Sequence, residues 1–201
     1  HQKAADYTLA KVKLSDFDSA LGIIVLLLLT LGGGINSVFE YWSSSSFSPL
    51  VAGVAATATI FLLLTVIEIP TSLYQTFVIE ERFGFNKSSV TQFIKDQLMH
   101  LALGSMIGLP LLASILWIMD NIGSTWWLWA WGIIMGFSLL ISWLYPTLLA
   151  PLFNKFTPME EGTLKERISG LLLRCGFNSQ GIFIMDGSKR SGHGNAYFTG
   201  L

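Results

Sequence analysis

The chain has 201 residues, 52% hydrophobic and 12% charged, with a mean hydropathy of +0.57. Soluble domains carry about 25% charged residues, so this composition excludes a disordered chain and an ordinary water-soluble enzyme. Twelve Lys and Arg against 13 Asp and Glu leave a net charge of −1, which excludes a basic field for nucleic acid, and the single cysteine, Cys175, excludes intrachain disulfides and multi-cysteine metal sites.

Residues 1–18 hold Lys3, Lys11 and Lys13 and lead into an uncharged stretch over 19–39 that contains the run Leu21 to Leu29. This apolar core is too long for a signal peptide, no small-residue cleavage site follows, and further spans come after it, so it is expected to stay in the mature chain. A second apolar stretch covers about 49–73, a third 97–119 and a fourth 126–149. Each supplies the roughly 20 residues a helix needs to cross a ~30 Å hydrocarbon core. Seven Trp and 14 Phe suit rings that anchor at lipid interfaces.

Polar residues inside the spans are the exceptions. Glu68, just before Pro70, reads either as a functional acid or as an interface acid paired with Arg82 or Lys87. His100 reads as an interface histidine. Gly104 and Gly108, like Gly132 and Gly136, have the spacing of helix packing. Gly32-Gly33-Gly34 and Pro110 mark either close helix contacts or helices loosened beside a cavity.

All 12 basic residues fall in 1–18, 80–97 and the segment after the fourth span, while loops 40–48 and 120–125 have none. The positive-inside rule then expects both ends of the chain in the cytoplasm. The membrane crossed is expected to be the inner membrane of the cell. Residues 1–150 are read as the membrane domain, and 151–201 as the start of a cytoplasmic α+β domain.

In that second part, Thr157-Pro158-Met159-Glu160 has the order of a helix start: a capping Thr, Pro at the first helical position and Glu at the third. Leu164, Ile168, Leu171, Leu172 and Cys175 continue it as an amphipathic helix, with Cys175 expected as a small core residue and Gly176 as the stop. Ile182 to Met185 is expected as a strand turned by Asp186-Gly187. A basic loop over 188–194 and a second strand candidate over 195–199 follow. Two strands and one helix are marginal alone, so the sequence reads as part of a longer protein.

Four segments carry a resemblance. Glu81-Arg82-Phe83-Gly84-Phe85-Asn86-Lys87, Leu152-Phe153-Asn154-Lys155-Phe156-Thr157-Pro158, Asp186-Gly187-Ser188-Lys189-Arg190-Ser191 and His193-Gly194-Asn195-Ala196-Tyr197-Phe198-Thr199-Gly200 resemble signature segments of the type I CAAX prenyl proteases. These are integral membrane zinc metallopeptidases of the gluzincin type. The resemblance implies a mainly α, polytopic α-helical membrane protein with the start of a cytoplasmic α+β zinc-metalloprotease domain. It also implies an edge strand on which peptide substrate pairs. There Asn195 would bond the substrate main chain, Ala196 would offer its carbonyl and Tyr197 would shape the wall. The family's zinc motif, H-E-x-x-H on a helix, does not occur here: the three histidines are followed by Gln2, Leu101 and Gly194. The expected ligands lie beyond residue 201, so the chain holds no catalytic residue and is expected to be inactive alone.

The function implied is the membrane and substrate-wall portion of a zinc endopeptidase for prenylated or other membrane-associated polypeptides, with a peptide or lipidated protein and the bilayer as partners and no nucleic acid. A quality-control metalloprotease for membrane proteins is the alternative of the same class. A small transporter or a non-catalytic membrane scaffold is the alternative of another class.

Overall fold

Helix α1 runs from Gln2 to Thr30, through the charged residues ahead of 19 and on into the apolar run. The computed structural model describes residues 2–177, 179, 181–189, 192–194 and 196, which divide into two units, 1–137 and 138–201. In the first unit, α1 stops at the glycine triplet, and α2 (Gly34–Ser43) sets off at 50° to it. Gly33 takes φ +75, and a Cβ on Gly32 would lie 2.5 Å from the Leu28 carbonyl oxygen. Only glycine fits such a backbone cheaply. The triplet therefore breaks the helix instead of pressing it against a neighbour.

Helix α3 (Pro49–Tyr74) has Ser48 as its cap, accepting from the Val51 N–H at 3.4 Å, and Pro49 in its first turn. It continues through a π-helical stretch, Gln75–Glu80, into the single turn α4 (Glu81–Phe83), so the rod from Pro49 to Phe83 is 35 residues long. The span expected to end near 73 thus extends to the turn at Gly84. Helix α5 (Val90–Asn121) starts ahead of the expected 97, capped by Ser89 accepting from the Gln92 N–H at 3.2 Å, and passes through Pro110 without ending.

Small residues join α3 to α5. Ala52, Ala56 and Ile118 are buried, and a Cβ on Gly53 would meet Leu116 at 3.3 Å. Close approach through small side chains is the usual packing of membrane helices. Gly104, Gly108, Gly132 and Gly136 do not take part: nothing among the described residues lies within 4 Å of a Cβ placed on any of them. Helix α2 is tied to α3 by the Trp42 indole N–H, which donates to Thr59 Oγ1 at 3.0 Å. Most large apolar residues, Leu28 and Trp131 among them, are exposed. That is the surface a lipid-facing helix presents.

A 3₁₀ turn, Gly123–Thr125, leads to α6 (Trp126–Leu144), a π-helical turn over Tyr145–Leu149 and α7 (Ala150–Phe153). Pro146 has no N–H to give an ordinary α-turn, and the wider π turn sits on it. Among the described residues, the runs Pro49–Phe83, Val90–Asn121 and Gly123–Phe153 are long and apolar enough to span a bilayer, and the bent α1–α2 pair makes a fourth if it crosses as one.

The second unit corrects two expectations. Residues 156–158 form strand β1, paired antiparallel with β2 (Phe183–Met185), with Thr157 opposite Ile184. The Met159 N–H bonds the Ile182 carbonyl at 2.8 Å. The chain from Thr157 to Met159 is thus spent on a ladder, and it does not open a helix. Helix α8 (Thr163–Arg174) starts after Gly162 instead. Cys175, expected in a core, is exposed. It sits one residue past the last helical position, and α8 buries none of its residues, Leu164 and Leu171 of the same stripe included. Gly176 does end the helix: the Phe177 N–H reaches back to the Leu172 carbonyl at 2.9 Å.

Candidate functional site

The segment from Glu81 to Lys87 is a helix stop followed by a helix start. Gly84 takes φ +80 and donates its N–H to the Glu81 carbonyl at 3.0 Å, while the N–H groups of Phe85 and Asn86 share the Glu80 carbonyl at 2.8 and 3.2 Å. These bonds satisfy carbonyls that a helix end leaves orphaned. Asn86 then works in both directions. Its Nδ2 donates to Glu81 Oε2 at 2.9 Å, and its Oδ1 accepts the Ser88 N–H at 2.8 Å, which delivers the chain to the Ser89 cap of α5.

This turn also fastens the start of α1. The Tyr7 hydroxyl donates to Glu80 Oε1 at 2.6 Å. Its ring packs edge-on against Phe83 at 5.2 Å between centroids and tilted against Phe85 at 5.1 Å. The Lys11 ammonium lies 5.5 Å from the Tyr7 ring centre, and the Arg82 guanidinium 5.7 Å from that of Phe83. Phe83 and Ile79 are buried beneath. Carboxylate, phenol and aromatic cluster together hold two segments 73 residues apart in sequence.

Beside this clamp a groove of about 770 Å³ opens between α1 and the end of α3. Its apolar walls include Leu14 and Phe17 from one side and Pro70 and Tyr74 from the other, and its charged members are Asp6, Lys13 and Arg82. Glu68 is exposed and forms no ion pair with Arg82 or Lys87.

In the second unit, two of the resembling segments meet. Asp186 Oδ1 accepts the Lys155 N–H at 2.7 Å, the Asp186 N–H returns to the Lys155 carbonyl at 3.1 Å, and Asp186 Oδ2 pairs with Lys189 Nζ at 2.7 Å. Lys155, just ahead of β1, is thus bonded on both sides to Asp186, where β2 passes into the Asp186-Gly187-Ser188-Lys189 turn. That turn tightens into 3₁₀ form over Gly187–Lys189.

Of the residues the resemblance assigns to substrate, Asn195 and Tyr197 lie outside the described residues, and Ala196 is exposed. Among the described residues, no group of three His, Cys, Asp or Glu side chains is placed to hold a metal ion. The donors described here do not fit a zinc site, and no chemical step is assigned to one in this chain.

Sequence reasoning missed Tyr7, Glu80 and the bonding role of Asp186. Asp186 was legible as a turn residue after a strand. Tyr7 carried no signal, because only the folded register brings it to Glu80.

Comparison with known proteins places these features in a family. A family model described as the CAAX prenyl protease N-terminal region, with five membrane helices, matches residues 1–155. A probable CAAX prenyl protease 1 of Schizosaccharomyces pombe is 34% identical over 218 residues, covering 100% of this chain and 45% of its own length. The Saccharomyces cerevisiae CAAX prenyl protease 1 is 43% identical over 139 residues, 69% of this chain and 31% of that protein. A crystal structure of S. mikatae Ste24p superposes with a TM-score of 0.89 at 34% identity, covering 98% of this chain and 47% of that one. The chain therefore spans less than half the length of these relatives. With more than three quarters of its residues inside the family match, this multi-pass membrane chain belongs to the CAAX prenyl protease N-terminal family.

Proposed function

We propose that these 201 residues are the membrane and substrate-wall portion of an integral membrane zinc endopeptidase that cleaves prenylated, CAAX-type polypeptides. The observation that carries this reading is the family match across the membrane helices, joined to resembling segments that continue past it to residue 200. Basic segments at both ends and in the α4–α5 turn face the cytoplasm, and loops 40–48 and 120–125, which carry no Lys or Arg, face the other side. In the whole protein, zinc when bound would supply an activated water. The residues of this chain bind and orient. Asn195 holds the substrate backbone through its side-chain amide, Ala196 pairs through its carbonyl, and Tyr197 closes the wall, in the manner of a strand added to a sheet edge. The turn of Asp186 against Lys155 sets the strand that precedes them.

The test is cleavage of a farnesylated CAAX peptide by the full-length gene product in liposomes, with and without a zinc chelator. Release of the C-terminal tripeptide, lost on chelation and restored by zinc, is expected. A folded, zinc-loaded protein that leaves the peptide intact refutes the reading. Equal cleavage of an unprenylated membrane peptide moves it to quality control.

A further inference from the structure

The groove between α1 and α3 has a charge pattern that membrane-facing grooves lack. Its walls are hydrocarbon, yet Lys13 and Arg82 both line it, against one carboxylate, Asp6. None of the three is consumed by the protein. The ion pairs Lys165–Glu161 and Lys189–Asp186 lie far along the chain from this groove. Arg82 touches only the Phe83 ring by charge. Both cations are exposed at the cytoplasmic end of an apolar slot, where the anionic headgroups of that leaflet attract Lys and Arg.

The register fixes where they stand. Tyr7 meets Glu80, while Phe17 and Pro70 line the same groove, so α1 and α3 run antiparallel along it. Lys13 lies six residues beyond Tyr7, about 9 Å at 1.5 Å per residue, and Phe17 about 15 Å beyond. Arg82 belongs to the end of the groove near the clamp, and the wall of Leu14, Phe17 and Pro70 leads away from it. Two cations spread along the first part of the groove, with Phe17 and Pro70 continuing it as hydrocarbon, match the headgroup and the chain of a phospholipid. Basic pockets between membrane helices on the cytoplasmic side are a recurrent form of headgroup recognition.

We propose that this groove binds one anionic glycerophospholipid of the cytoplasmic leaflet, its phosphate between Lys13 and Arg82 and an acyl chain along Leu14, Phe17 and Pro70. Asp6 accepts from a hydroxyl or ammonium of the headgroup. The site fastens lipid beside the Tyr7 clamp, and it stands apart from peptide cleavage. It rests on the cytoplasmic placement of the basic segments alone.

The experiment uses the full-length gene product in phosphatidylcholine nanodiscs doped with a photoactivatable phosphatidylglycerol, and in parallel with the same probe on phosphatidylcholine. Cross-links are mapped by peptide mass spectrometry. The phosphatidylglycerol probe is expected to label residues 9–17 and 70–83 well above the phosphatidylcholine probe. Replacing both cations (K13Q with R82Q) is expected to lower that labelling about 30-fold, and either alone about five-fold; Lys13→Arg should keep it. Should the double variant fail to fold by circular dichroism, Leu14→Trp keeps both charges and fills the groove, and it is expected to abolish labelling. Equal labelling by both probes overturns the proposal, as does unchanged labelling in the double variant or in Leu14→Trp. Displacement by a farnesyl-cysteine methyl ester at concentrations that spare phosphatidylglycerol elsewhere assigns the groove to a prenyl group and equally overturns it. Peptidase activity is not the readout, so failure here is separable from failure of the protease reading.

Discussion

Replacing Tyr7 by Phe removes one oxygen and keeps the ring. The hydroxyl donates to the Glu80 carboxyl group at 2.6 Å, while the ring contacts with Phe83 and Phe85 do not depend on it. A hydrogen bond to a charged acceptor contributes about 1.5–3 kcal/mol, so the first turns of α1 should open about 10- to 150-fold more often. The assay is amide hydrogen exchange of the protein in nanodiscs, read on peptides from residues 2–14, with peptides from the α3–α5 contact as the internal reference. Tyr7→Ala also loses two aromatic contacts, each about 0.5–1.5 kcal/mol beyond burial, and should exchange faster still. In a double-mutant cycle, Tyr7→Phe and Glu80→Ala should show non-additive losses, because both remove the same bond. Exchange in Tyr7→Phe within about threefold of the parent, or fully additive variants, would refute the clamp.

Four further outcomes follow from the residues described. With Cys175→Ser as background, an impermeant thiol reagent added to whole cells should label Ser44→Cys and spare Ser88→Cys; the reverse pattern overturns the orientation. Gly84→Ala, at φ +80 with open space around the new methyl, should cost about 1–2 kcal/mol, seen as a lower thermal midpoint with unchanged helicity; an unshifted midpoint removes the strain argument. In the full-length protein, Asn195→Ala should lower kcat/KM roughly five- to 150-fold at constant zinc content, and Asn195→Asp should be damaged as well. A fully active Asp variant would return Asn195 to a turn cap, where Asp serves equally. The purified, tag-free 201-residue chain should hold no stoichiometric zinc by metal analysis, since zinc needs three or four converging donors.

Charge gaps and hydropathy were enough to read the membrane character and the three later apolar runs, because in lipid the apolar run is itself the structure; the first reads as one span over 19–39, and that reading leaves the 50° bend at its glycine triplet open. The ends of the runs were harder. The rod from Pro49 to Phe83 outruns the hydropathy window because Glu80, Glu81 and Arg82 are charged yet still helical, and the true stop is the positive φ of Gly84. Thr157-Pro158 satisfied a local capping rule and was overruled by a partner strand 27 residues away, which no local pattern contains. Cys175 failed together with its stripe: Leu164 and Leu171, inside the helix, are exposed as well, because no described element covers that face of α8. Tyr7, Lys13 and Arg82 are individually ordinary, and only the antiparallel register of two helices makes them a clamp and a groove.

The pairing of Lys155 with Asp186 has a temporal side. The two residues are 31 apart in sequence, and at about 5–20 residues per second of synthesis the first strand waits roughly 2–6 s before its partner is made. During that interval Phe156 and its backbone donors form a bare edge beside a nascent membrane helix, where a second ribosome's product is the nearest template. Pro158 in the strand removes one donor from that edge, and Lys155 beside it adds a charge. Both are features that discourage edge-to-edge pairing. The residues that later fit the Asp186 turn thus also guard the segment while it is alone, and a variant that replaced both would be expected to fail first in yield during expression rather than in the folded protein.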